Sequence, residues 1–272
     1  MTELRQAPHQ GTQCVIIIGA SSAIARAMMF ELIQQAYDDL SSMQLITVSQ
    51  QAEIDAEITQ VMAQTSLISH HHFQCDYQQH SIKTVVGSIN ALMTASIDNA
   101  PLLISKILIC NGVLHTSELI PEKKLEDCSA ENLLTILQSN TITPMLWLSE
   151  LVVLVSKQKS PCYLVIFSAR VGSISDNYLG GWYSYRASKA ALNMLVKTAA
   201  IEYARRAKSV KLLAFHPGTT DTPLSKPFQA KVSPDKLFTP EFVAQQLIKI
   251  LTTLDIDGQA SFIDWQGKNI NW

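Results

Sequence analysis

Short apolar runs alternate along the whole chain with longer segments whose apolar residues recur at helical spacing, and no other feature limits the fold as much. The runs are Cys14 to Ile18, Leu45 to Val48, His72 to Cys75, Lys106 to Cys110, Tyr163 to Phe167, Lys211 to Phe215 and Ala260 to Ile263. Strands that are apolar on both faces belong to a parallel sheet covered by helices on each side. The segments 22–36, 54–65, 81–96, 130–156, 183–206 and 240–253 predict helices, as in the spacing of Leu133, Leu134, Leu137, Ile142 and Leu146. Ser129 before Glu131, and Pro240 with Glu241, are favourable helix openings. No repeat or linker interrupts the rhythm. The expectation is an α/β fold: a doubly wound (Rossmann-type), seven-stranded, mostly parallel sheet with helices on both faces, in a single domain over 1–272.

Composition narrows the function. The 272 residues include 47% hydrophobic and only 16% charged side chains, against roughly 25% charged in ordinary soluble domains. A surface so short of charge asks to be covered, so a homodimer or homotetramer is expected through 130–156 and 183–206. Leu146, Trp147, Leu151, Val152, Leu154 and Val155 on the first segment, with Ala190, Ala191, Met194, Leu195 and Thr198 on the second, are the expected contacts. A net charge of -2 without any basic run argues against nucleic acid and anionic membranes as partners. The start of the chain lacks the apolar stretch of a signal peptide, and Arg26 and Glu150 cut the longest apolar segments, so a soluble cytoplasmic protein is expected. Cys14, Cys75, Cys110, Cys128 and Cys162 form no Cys-x-x-Cys pair and read as buried reduced thiols. The triplet His70-His71-His72 reads as a solvated turn ahead of a strand, because consecutive side chains cannot all point one way. No metal site is expected.

Two stretches break the alternation, 169–182 and 217–238. Both follow the carboxyl end of a strand, where open parallel sheets bind ligands, which makes them candidate substrate loops. Their apolar members, among them Val171, Ile174, Leu224 and Phe228, suggest a hydrophobic pocket. The first strand and helix are joined by Gly19-Ala20-Ser21-Ser22-Ala23-Ile24-Ala25, the place of a phosphate-binding turn. There a glycine lets the backbone approach a pyrophosphate, and Ser21 and Ser22 offer hydroxyls. Ala23 and Ala25 are the smallest replacements for further glycines. Tyr185 and Lys189 are four positions apart in a helical segment and share one face. An ammonium close to a phenol lowers its pKa and makes the tyrosine a usable acid/base.

Joined to Cys110-Asn111-Gly112-Val113, to Asn140 in Asn140-Thr141-Ile142-Thr143-Pro144, to Ser168 and to Pro217-Gly218-Thr219-Thr220-Asp221-Thr222, these elements resemble the short-chain dehydrogenase/reductase family over nearly the whole chain. Cys110 to His115, Ser168 to Ile174 and Lys226 to Gln229 further resemble its C-factor-like branch. The resemblance implies an NAD(P)(H)-dependent oxidoreductase that moves hydride to or from a small carbonyl or alcohol substrate. It implies Tyr185 as the acid/base, Lys189 on the nicotinamide ribose, Ser168 on the substrate oxygen and Asn140 ordering a proton-relay water. It also implies cofactor contacts from Gly19, Ser21, Ser22, Ile24, Ser49, Asp76, Tyr77, Asn111, Gly112, Pro217, Gly218, Thr220 and Thr222, beside Tyr185 and Lys189. The second strand ends Val48-Ser49-Gln50-Gln51, without the carboxylate that would hold the ribose hydroxyls of NAD, which favours NADP(H) over NAD(H). Ser168 precedes Tyr185 by four more residues than is usual in the family, enlarging the loop from Gly172 to Trp182. The alternative is a C-factor-like signalling or regulatory protein that binds nucleotide with little or no turnover.

Overall fold

The structure, a computed structural model, describes residues 12–95 and 102–272. In chain order the strands are β1 (Gln13–Ile18), β2 (Met43–Ser49), β3 (Ile68–Gln74), β4 (Leu103–Ile109), β5 (Cys162–Phe167), β6 (Val210–His216), β7 (Thr219–Thr220), β8 (Leu237–Phe238) and β9 (Ser261–Asp264). The helices are α1 (Ala23–Asp38), α2 (Ala56–Met62), α3 (Gln79–Thr94), α4 (Ala130–Leu137), α5 (Thr143–Val155), α6 (Tyr183–Arg206) and α7 (Pro240–Leu251). Seven strands form one sheet in the order β3-β2-β1-β4-β5-β6-β9, and every neighbouring pair is parallel. This is the doubly wound sheet that the alternation predicts. Its order reverses between β1 and β4, so chains leaving those strands diverge and open a crevice at their carboxyl ends.

Successive strand residues face opposite layers. Ile16, Ile107 and Leu164 pack with Trp147 and Leu151 of α5 and with Leu192 and Val196 of α6. Val15, Leu108 and Val165 pack with Met28 and Leu32 of α1 and Leu247 of α7. Burying each large side chain contributes about 1.5–3 kcal/mol, so the two layers fix the helices on the sheet.

Several expectations are corrected. The helix predicted over 130–156 is α4 and α5 joined by a π-turn at Gln138–Ile142, a wider turn of the kind that accompanies functional sites. Its apolar face also turns otherwise than expected. Trp147, Leu151 and Val155 are 0% exposed and lie against the sheet, whereas Ile142 and Val153 point outward; on α6, Met194 and Ile201 are exposed. The thiols of Cys14, Cys75 and Cys162 are buried and that of Cys110 half-buried, but Cys128 is exposed; all are free. The segment 217–238 is not irregular: β7 pairs with β8, 3-10 turns span Lys226–Lys231 and Pro234–Lys236, and the Phe238 ring lies 4.3 Å from that of Trp265.

The histidine triplet lies inside β3, not in a solvated turn. The pleat puts His70 and His72 on one face, where their rings bond Thr47 Oγ1 at 2.8 and 2.9 Å, and leaves His71 exposed. His72 Nε2 also lies 3.0 Å from Gln51 O. A carbonyl only accepts, so His72 carries a proton on Nε2. Burial holds His70 down to about 4. Among the described residues no helix is long and apolar enough to cross a membrane.

Candidate active site

Helix α6 begins on three residues in the left-handed region, Gly180, Gly181 and Trp182, with φ of 64, 66 and 54°. A bulky residue avoids that region unless its surroundings hold it there. Trp182 N–H donates to Glu122 O, and Arg186 Nε donates to Gly181 O at 2.9 Å. The buried Glu122 carboxylate then caps the helix, accepting from the Ser184 N–H at 3.2 Å and from the Ser184 hydroxyl. It satisfies donors that the helix start would otherwise leave orphaned, and its charge suits the helix dipole. Nothing in the sequence marks Glu122, because its partner lies 62 positions away.

One turn further on, the buried side chains of Tyr185 and Lys189 line a cavity of about 510 Å³. Lys189 Nζ donates to Phe167 O at 2.9 Å and stands 5.8 Å from the centroid of the Tyr185 ring. Burial brings Lys189 down to about 8. Burial also pushes the Tyr185 phenol up, and Lys189 brings none of the lowering that the spacing suggests, so the phenol is neutral.

Around this pair the polar side chains are tied. Asn140, on the π-turn, accepts from Val113 N at 2.7 Å and donates to Val113 O at 2.8 Å and to Ser188 Oγ at 3.1 Å. It thereby joins the segment after β4 to α6. Ser168 Oγ donates to Asn193 Oδ1 of α6 at 2.6 Å. Gly172 lies flat on the same helix: a Cβ there would stand 2.7 Å from Lys189 C. Above Tyr185, Trp182 meets its ring edge-on at 6.1 Å, Phe228 meets Trp182 at 5.1 Å, and His115 meets Phe228 at 5.6 Å.

The rest of the cavity wall comes from Ser21, Ser22 and Ile24 at the start of α1, from Asn111 and Gly112 after β4, and from Pro217, Gly218, Thr220 and Thr222 after β6. Ser22 caps α1 by accepting from Ala25 N at 3.2 Å, and no acid lies in the first turn. That end attracts anions. Gly19, at φ 79°, shapes the turn beneath, where a Cβ would stand 3.1 Å from Asn111 N. Besides Gly19, three of the expected cofactor contacts do not line this cavity. Ser49 turns its hydroxyl into its own turn, accepting from Gln51 N at 3.2 Å. Asp76 borders a separate depression with Gln50 and Gln74, and the Tyr77 ring packs edge-on against Trp147 at 6.4 Å.

A doubly wound parallel sheet with this crevice and this tyrosine-lysine helix defines a class, and the sequence profile described as short chain dehydrogenase matches residues 13–233. The chain belongs to that family, and with it to the oxidoreductases. It is 24% identical over 253 residues to the benzil reductase ((S)-benzoin forming) of Bacillus cereus, covering 88% of this chain and 94% of that one. Two other relatives align over shorter spans. The 1-hydroxy-2-glutathionyl-2-methyl-3-butene dehydrogenase of Rhodococcus sp. (strain AD45) is 39% identical over 107 residues, covering 39% of this chain and 45% of its own. The C-signal of Myxococcus xanthus is 30% identical over 105 residues, covering 39% of this chain and 58% of its own. The chain thus spans about half the length of these two relatives. Among solved structures, NADPH-bound carbonyl reductase from chicken fatty liver superposes with a TM-score of 0.76 at 19% identity, over 96% of this chain and all of that one.

Proposed function

We propose that this protein transfers hydride between a nicotinamide dinucleotide, NADP(H) in preference to NAD(H), and a small apolar carbonyl or alcohol. The observation that carries this reading is the burial of Tyr185 and Lys189 in the wall of one cavity that also receives the start of α1. The wall fits such a cofactor. Asn111 Oδ1, His216 Nδ1 and Thr220 Oγ1 are buried side-chain atoms without a hydrogen-bond partner, and buried polar atoms of that kind ask for one. A Cβ on Gly112 would stand 3.5 Å from Lys189 Nζ, so the glycine keeps the approach to that amine clear. The bound nicotinamide would supply the hydride donor or acceptor.

The chain's own residues do the rest. Tyr185, a neutral phenol, gives its hydroxyl proton to the carbonyl oxygen in reduction and takes it back in oxidation. Lys189 holds ribose hydroxyls, and Asn140, which fixes Val113 against Ser188, orders a relay water. The start of α1 with Ser21 and Ser22 binds phosphate, while Ser49, Asp76 and Tyr77 serve the adenine end. The apolar roof of Trp182 and Phe228 and the similarity to a benzil reductase support an apolar substrate. The chain is read as one cytoplasmic domain that assembles as a homodimer or homotetramer, with 169–182 and 217–238 as substrate loops. Titration with NADPH and NADH followed by nicotinamide fluorescence tests the reading, and failure of both to bind removes it. The similarity to C-signal favours a second reading, signalling without turnover. In that case Tyr185→Phe would leave every activity of the protein unchanged.

A further inference from the structure

The end of β5 carries two adjacent small residues with different surroundings. Ser168 is 4% exposed, and its hydroxyl hydrogen goes to Asn193 Oδ1 at 2.6 Å; Asn193 is itself 3% exposed. A hydroxyl owns one hydrogen. While Asn193 holds it, Ser168 has only lone pairs to offer, and a carbonyl oxygen, which needs a donor, gains nothing from it. Both residues line the cavity, but the next residue, Ala169, packs in the apolar cluster of Leu114 and Tyr185.

We infer that Ser168 is a positioning residue held by Asn193, and that a substrate oxygen meets the Tyr185 hydroxyl beside the Ala169 methyl, one donor and not two. The inference rests on the proposed acid/base role of Tyr185. A structural reason for the bond is visible in its neighbour. Lys189 Nζ grips Phe167 O, and Asn193, four positions further along α6, grips Ser168. Residues four apart lie on one helix face, so consecutive residues of the strand end are clasped by consecutive turns of the helix. This sets the register of α6 on the sheet, and with it the height of Tyr185 in the cavity. The Ser168 hydroxyl is part of that clasp.

The first measurement needs no ligand. In equilibrium unfolding of the full chain, Ser168→Ala and Asn193→Leu are expected to be non-additive by about fivefold, the size of one net hydrogen bond. Additive effects would overturn the clasp. The second measurement uses benzil with NADPH. Ser168→Ala is expected to lower kcat by less than about tenfold, against the roughly 100-fold or greater loss that follows removal of a donor from a developing oxyanion. Ala169→Ser, which sets a hydroxyl beside Tyr185, is expected to raise kcat/KM, a gain that a merely structural change would not produce. A loss of about 100-fold or more in Ser168→Ala with KM unchanged, or no gain in Ala169→Ser, overturns the inference. If Tyr185→Phe keeps full turnover, or NADPH and NADH both fail to bind, the proposed function fails instead. The unfolding cycle then still decides whether Ser168 and Asn193 are clasped together.

Discussion

Burial acts on Tyr185 and Lys189 in opposite directions, and both shifts have measurable consequences. Tyr185→Phe is expected to abolish turnover while leaving the NADPH dissociation constant within a few-fold, since the ring still fills its place. Because burial raises the phenol, alcohol oxidation, which needs the phenolate, is expected to speed up as pH rises, and carbonyl reduction is not. Retained turnover in the Phe variant, or parallel pH profiles for the two directions, would refute the assignment. Lys189 titrates at about 8 in the folded chain, below its ordinary 10.5. Between those values the unfolded chain binds a proton that the folded one lacks, so this group favours folding increasingly as pH rises through the window and the gain is lost as pH falls through about 8. Buried thiols and phenols act oppositely. The quantity to measure is therefore the stability of wild type minus that of Lys189→Met, which is expected to grow across the window and would be flat if the amine were solvated. The Tyr185 and Lys189 pair is legible in the sequence because spacing by four is local geometry. The Ser168 and Asn193 pair is not, because 25 positions separate the partners and only the seating of α6 on β5 brings them together.

At the scale of elements, that seating depends on Gly172. A methyl there would stand 2.7 Å from Lys189 C and 2.9 Å from Lys189 O, and backbone atoms cannot swing aside as a side chain can. Gly172→Ala is expected to lower stability by about 1–3 kcal/mol, as overpacking does, and to weaken NADPH binding by shifting Lys189. Thermal melts and a fluorescence titration check this, and a variant with unchanged melting temperature would show that the contact yields. The glycine stands out in the sequence of its loop, but its partner does not. The π-turn at Gln138–Ile142 is likewise hidden, since one extra residue in a turn barely disturbs a helical pattern of apolar side chains. The start of β3 is hidden for another reason. Its histidines look solvated until Thr47 of the neighbouring strand is placed beside them.

For the molecule as a whole, strand sequence and sheet class follow from alternation alone, because strands buried on both faces have a composition that few other structures permit. The rotation of α5 does not follow. That helix is apolar on nearly every side, so its pattern leaves open which face meets the sheet. The structure turns Leu151 inward and leaves Met194 and Ile201 of α6 at 63% and 60% exposure. Leu151→Arg is therefore expected to unfold the chain, whereas Ile201→Arg is expected to split the proposed assembly and leave the fold intact. Light scattering at micromolar concentration with circular dichroism separates these outcomes, and a wild-type mass equal to the single chain would end the case for assembly. Cofactor preference is also a property of the whole crevice. NADPH is expected to bind more tightly than NADH because Ser49, Gln50 and Gln51 bring no carboxylate to the ribose, and dissociation constants favouring NADH would refute that.

The stretch between Gly172 and Trp182 hangs from two fixed points. One is pressed on the Lys189 backbone and the other is bonded to Glu122; between them Asp176 pairs with Arg170, and Arg186 holds Gly181 O. Ile174, Tyr178 and Leu179 within it are exposed. The middle of the stretch, 174–179, is in that sense an exchangeable cassette: its length and lettering can drift while Tyr185 and Lys189 keep their places in the cavity wall. Grafting other stretches between the same two anchors is accordingly the most economical way to retarget this protein.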